Sequence, residues 1–197
     1  TQSRSSAASD VYKRQLDDVI GGESFYDPTE DKPNVMVQEG EYYAHVKDVT
    51  VKEDVVIRGK YLADIYNIIF NLSAENSEKE FNGIGGSTFV NKEVRSKGFF
   101  RFKTPDSKNL EPNAGGNGGY KAMVEALGVK IEEKEVDGKT MYALPSINPA
   151  DVEGLPAIIK IAHETWKNRD GEDMISPKAV GIFKWANGKR DESDLPF

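Results

Sequence analysis

The chain has 197 residues, 33 acids against 26 lysines and arginines, a formal net charge of −7 and no cysteine. That length allows one domain with a proper core, and the lack of cysteine excludes disulfides, thiolate zinc sites and cysteine nucleophiles. Two histidines, His45 and His163, are too few for a histidine-rich metal site, no run approaches the roughly 18 apolar residues of a membrane span, and no secretory signal is visible. The expected protein is cytoplasmic, without metal or cofactor.

The charge is unevenly spread. Residues 16–34 carry six acids against Lys32, and residues 191–197 carry three acids and no basic residue. Between them the body is nearly neutral, with a basic stretch at 92–103 in which Lys92, Arg95, Lys97, Arg101 and Lys103 face only Glu93. Local potential governs attraction of phosphates more than the total does.

In chain order, SSAASDVYKRQ at 5–15 matches the translation of a transposase adapter used in sequencing libraries, so residues 1–15 are expected not to be native. Residues 16–34 read as a loose acidic lead-in. Val35–Val37 is the first strand signal, and GEYYAHVKDVTV then alternates, with Tyr42, Ala44 and Val46 on one face and a bulge expected near Lys47 and Asp48. Residues 55–72 read as strand, turn at Gly59, and strand, with Tyr66, Ile68, Phe70 and Leu72 facing a core. NGIGGS at 82–87 reads as flexible glycine loop. FVNKEVRSKGFFRFK gives a strand pair around Gly98, in which Phe100 and Phe102 are expected inward and Phe99, Arg101 and Lys103 outward.

After a Gly-, Asn- and Pro-rich loop at 104–119, GGYKAMVEALG predicts a helix stopped by Gly128. Asp137-Gly138 predicts a hairpin turn, and Asn148-Pro149 caps one helical turn through Val152. LPAIIKIAHETW and KAVGIFKW predict the last two strands. The fold class expected is mainly β: an OB-fold-like five-stranded barrel at 35–188, with one helix between strands 3 and 4 and disordered acidic ends. An α+β sandwich has the same inventory.

The last seven residues, Asp191, Glu192, Ser193, Asp194, Leu195, Pro196 and Phe197, put acids before an apolar, proline-stiffened tip that ends on an aromatic ring with the terminal carboxylate. This ending resembles the acidic C-terminal tip of bacterial and phage single-stranded DNA-binding proteins. EGEYYAHV, GLPAIIKIAHETW and KAVGIFKW resemble the opening, fourth and closing strands of phage members of that family. The resemblance implies sequence-independent binding of single-stranded DNA in phage replication, recombination and repair. It also implies a tail at 189–197 whose Asp191, Glu192, Asp194, Leu195, Pro196 and Phe197 recruit partner proteins, with homo-oligomers allowed.

Such binding needs a basic groove for phosphates and flat rings for stacking. The candidate rings are Tyr43, Tyr61, Phe99, Trp166 and Trp185. The candidate basic residues are Lys47, Arg58, Lys60, Lys92, Arg95, Lys97, Arg101, Lys103, Lys160 and Lys184, with the Lys92–Lys103 run as the expected groove. Core packing competes as the explanation for every ring, most strongly for Tyr66, Phe70, Phe100 and Phe102. GIGG and AGGNGG lack phosphate-loop spacing and read as rim loops. No acid and base spacing, nucleophile elbow or usable histidine marks an enzyme. The competing function is a phage accessory protein of similar fold that binds protein only.

Overall fold

The structure is a computed structural model that describes residues 35–106 and 109–190. The adapter-like stretch and acidic lead-in at 1–34 and the acidic tip at 191–197 lie outside the described residues. Residues 35–39 form no strand, although Val37 is buried in the core. Two long antiparallel strands follow, β1 (Gly40–Ile57) and β2 (Tyr61–Leu72). Their turn carries Arg58 and Gly59 at positive φ, 53° and 68°. The register of this pair shifts between Val46 and Asp48, where the bulge was expected, and again between Lys52 and Val55. At the second shift Asp54 takes φ 54° and its N–H donates to Asp64 Oδ1 at 3.1 Å. This lets β1 bend and continue through Val55–Ile57, which the sequence reading had placed in a separate strand.

A minimal hairpin, β3 (Glu80–Phe81) and β4 (Ile84–Gly85), leads into β5 (Glu93–Ser96) and β6 (Phe99–Phe102). The glycine that follows this hairpin is not slack. A Cβ on Gly86 would lie 1.8 Å from the Asn76 carbonyl oxygen, so that glycine is there for close backbone approach. Helix α1 (Gly118–Ala126) follows a short 3-10 turn at Ala114–Asn117 and ends before Gly128 at φ 72°. The hairpin of β7 (Glu132–Val136) and β8 (Lys139–Ala143) turns at Asp137-Gly138, φ 52° and 71°. The single turn α2 (Pro149–Val152) precedes β9 (Pro156–Lys167) and β10 (Asp173–Lys184).

β1, β2, β5, β10 and β9 pair in that circular order and close on β1. The β5–β10 contact is parallel and the other four pairings are antiparallel. β6 continues along the same edge of β2 beyond β5. The result is the OB-fold-like closed barrel, with α1 between its third and fourth strands. Its interior holds Tyr42, Ala44 and Val46, the β2 set Tyr66, Ile68, Phe70 and Leu72, and Ile159 and Ile161. Tyr120, Met123 and Val124 of α1 pack on the same core.

β10 begins at Asp173, five residues before the expected start. β1 reaches only as far as Ile161 of β9, so Ala162–Lys167 and Asp173–Lys178 pair with each other as an arm beyond it. The arm's turn is tied by Asn168 Oδ1, which accepts from the N–H of Asp170 and of Glu172 at 2.9 Å each.

Candidate functional site

Period-2 alternation decides what the barrel shows to solvent. On β2 the core takes Tyr66 and Ile68, so Tyr61, Ile65, Asn67 and Ile69 lie on the outer face, where Ala63 is fully covered. Cross-strand partners share a face: Ile65 lies opposite Phe100, Ala63 opposite Phe102, and Tyr66 opposite Phe99. The expected facing of β6 is therefore reversed. Phe99 packs against the core, while Phe100 and Phe102 lie half-buried on the outer surface.

The cause is Asp64, a β2 carboxylate on the core-facing side and only 3% exposed. Arg101 Nη1 meets its Oδ2 at 3.1 Å and Lys103 Nζ its Oδ1 at 2.8 Å. A buried charge needs a partner, so Arg101 and Lys103 turn toward Asp64 and the intervening phenylalanines turn outward. Burial alone would raise the Asp64 pKa. The bonds from Lys103, from the Asp54 N–H and from Arg101 outweigh it and hold the carboxyl below its ordinary value. The lone acid in YLADIYN, at a core-parity position, was the sequence signal for this reversal.

Phe100, Phe102 and Tyr61, with Ile57, Arg58, Asn113 and Gly116, line an open hollow of about 380 Å³. The Phe100 and Phe102 rings are nearly parallel, 6.0 Å apart at 18°, and Tyr61 stands edge-on to Phe102 at 87°. Arg58 and Lys60 are exposed on the adjoining turn. Farther along the same edge of β2, Arg95 of β5 lies opposite Ile69 and beside Lys178 of β10. Four β2 residues separate its row from that of Phe100, roughly 13 Å. Lys178 in turn lies opposite Ala162, and Trp166, half exposed, stands one arm-length farther out opposite Met174. One outer surface thus carries a ring cluster, two cations and a second ring.

The other candidate residues lie elsewhere or are already engaged. The Tyr43 ring has Lys79 Nζ over it at 3.8 Å and Trp185 against it at 4.7 Å. Lys47 pairs with Glu93 at 2.9 Å and Lys97 with Glu164 at 3.2 Å. Lys92 Nζ donates to the Val35 carbonyl. Lys160 and Lys184 are exposed on β9 and β10. The run Lys92–Lys103 does not form one groove, because Lys92 reaches the Val35 carbonyl, Lys97 pairs with Glu164, and Arg101 and Lys103 turn to Asp64. Sequence reasoning missed Phe100, Phe102 and Lys178 as surface groups. Among the described residues no cluster of His, Asp and Glu could hold a metal ion, and no helix is long and apolar enough to cross a membrane.

The architecture places this chain in the class of closed five-stranded barrels with OB-fold-like order. No family model matches the chain, and no curated protein matches it.

Proposed function

We propose that the protein binds single-stranded DNA without reading its sequence, in phage replication, recombination or repair, and that its C-terminal tip recruits partner proteins. The observation that carries this reading is the outer surface running from Tyr61, Phe100 and Phe102 past Arg95 and Lys178 to Trp166. Rings for stacking flank cations for phosphates there, the combination that sequence-tolerant binding uses. The net charge of −7 is no obstacle, since residues 16–34 and 191–197 of the sequence hold nine acids against one lysine and the field along the surface is local. Phe197 with its carboxylate would enter an apolar pocket rimmed by Arg or Lys on a partner, and Asp191, Glu192 and Asp194 would speed the encounter.

A fluorescence titration with poly(dT) across salt tests the reading. Tryptophan quenching on binding, with affinity falling steeply as salt rises, is expected from counterion release. An absence of both would leave the protein-only accessory role, which the exposed Trp166, Met174 and Ile175 on the arm favour.

A further inference from the structure

We infer that the hollow between the β1–β2 turn, β6 and the Ala114–Asn117 turn is a seat for one nucleobase of the bound strand. This rests on the proposed DNA binding but goes beyond it, since stacking on an open surface would need no hollow. The walls are rings on two sides at right angles: Phe100 and Phe102 offer near-parallel faces, and Tyr61 closes the side edge-on. A flat heterocycle lying parallel to the Phe102 ring meets Tyr61 with its rim, a geometry that a curved aliphatic ligand does not match.

The polar groups fit a nucleotide as well. Arg58, exposed at the mouth, is placed for the phosphate of the seated nucleotide, with Lys60 two residues on. Asn113 Oδ1 accepts the Gly116 N–H at 3.1 Å, which leaves the amide NH2 as the donor for a base edge. Gly116 lets two of the lining groups pack down onto the backbone. A Cβ there would lie 2.6 Å from Phe102 Cε2 and 2.5 Å from Asn113 Nδ2, so a side chain would displace the Phe102 ring and the Asn113 amide from the wall of the hollow. Its φ lies outside the range that demands glycine, so this close approach is the reason for glycine at this position.

The test compares two strands of equal charge, oligo(dT) and the same oligonucleotide with abasic sites, against the full chain and the variants Gly116→Val and Tyr61→Ala. Circular dichroism and thermal melting check that both variants fold. If a base sits in the hollow, each variant loses about tenfold in affinity for oligo(dT) while its affinity for the abasic strand stays at the wild-type level. Equal losses on both strands, or no loss on either, overturn the seat. So does wild-type protein that binds both strands equally, although binding through phosphates would then survive. Wild-type protein that binds neither strand overturns the DNA-binding reading itself.

Discussion

Arg101 and Asp64 meet at 3.1 Å beneath the barrel surface, and their pairing sets which face of β6 looks outward. Lys103 supports the same carboxylate, and Arg101 also donates from Nε and Nη2 to the Leu144 carbonyl at 3.3 and 3.2 Å, tying the segment after β8 to the barrel. Replacing Asp64 with Asn keeps the shape but leaves Arg101 half-buried without its counter-charge. Asp64→Asn is expected to cost about 3 kcal/mol of stability, measured by urea unfolding at pH 7. A loss below about 1 kcal/mol would show that the pair does not organise β6.

The same pair dictates the acid limb of stability. The folded Asp64 carboxyl titrates below its unfolded value, near 3.9, so its contribution is complete above that pH and is lost as pH falls through the lower folded value. Thermal melting of wild type and Asp64→Asn should therefore converge below about pH 4. Curves that stay parallel down to pH 2 would place the charge elsewhere.

Tyr42 contributes to the alkaline limb. Its hydroxyl donates to the Gln38 carbonyl at 3.0 Å, and burial pushes its pKa up to about 12. A folded pKa above the unfolded value, about 10, means stability that is intact below pH 10 and drains away toward 12. Tyr42→Phe should melt lower than wild type at pH 8 and lose less between pH 10 and 12. An unchanged slope would assign the alkaline transition to other tyrosines, such as Tyr120, which burial likewise raises.

Much of this architecture is legible from alternation. β1 and β2 show their buried faces in the spacing of Tyr42, Ala44, Val46 and of Tyr66, Ile68, Phe70, Leu72, because one side of each strand must be apolar. Turn chemistry places the Asp137-Gly138 hairpin and the Gly128 stop for the same local reasons. FFRF resists such reading, since phenylalanine occupies both parities and only the long-range demand of Asp64 breaks the tie. The scattering of the Lys92–Lys103 run is equally non-local: a lysine's partner depends on which acid the fold brings near, and spacing in the chain does not encode that. The start of β10 was hidden by Ser176 and Pro177, although Pro177 lies where β9 needs no N–H from it.

Asn76 is the buried joint between β1 and the loop after β2. Its Nδ2 donates to the Tyr43 and Ser73 carbonyls at 2.7 and 2.8 Å, and its Oδ1 accepts the Tyr43 N–H at 2.9 Å. Asn76→Ala should cost about 2 kcal/mol, because the Tyr43 N–H is left buried without a partner. Gly86→Ala presses on the carbonyl of that same residue and should cost up to about 3 kcal/mol. Unfolding midpoints measure both, and wild-type values would mean that the loop relaxes freely.

If strands run along the outer surface, Trp166→Ala should weaken poly(dT) binding by roughly 1–3 kcal/mol. Arg95→Ala and Lys178→Ala should each lower the slope of log affinity against log salt by roughly 0.7. Lys103→Ala, whose ammonium is turned inward to Asp64, should destabilise the protein and leave that slope unchanged. A slope that responds to Lys103 and ignores Arg95 would move the path of the strand to another face.

The chain is fastened right up to where the terminal acids begin. Trp185 lies on Tyr43, His45 Nε2 bonds to the Lys189 carbonyl at 2.9 Å, and Arg190 Nη2 donates to the Glu153 carbonyl at 2.8 Å. A Cβ on Gly188 would collide with Pro156 and Trp185 at 2.5 and 2.6 Å. Residues 185–190 thus belong to the folded body. Deleting 191–197 should leave the melting temperature unchanged, leave or strengthen affinity for poly(dT) as three acids are removed, and abolish capture of partner proteins. Isothermal titration with poly(dT), together with pull-down using a peptide of residues 189–197 as competitor, measures the two effects separately. Weaker DNA binding after the deletion would mean that the tip takes part in holding the strand and is not a separate recruiting element.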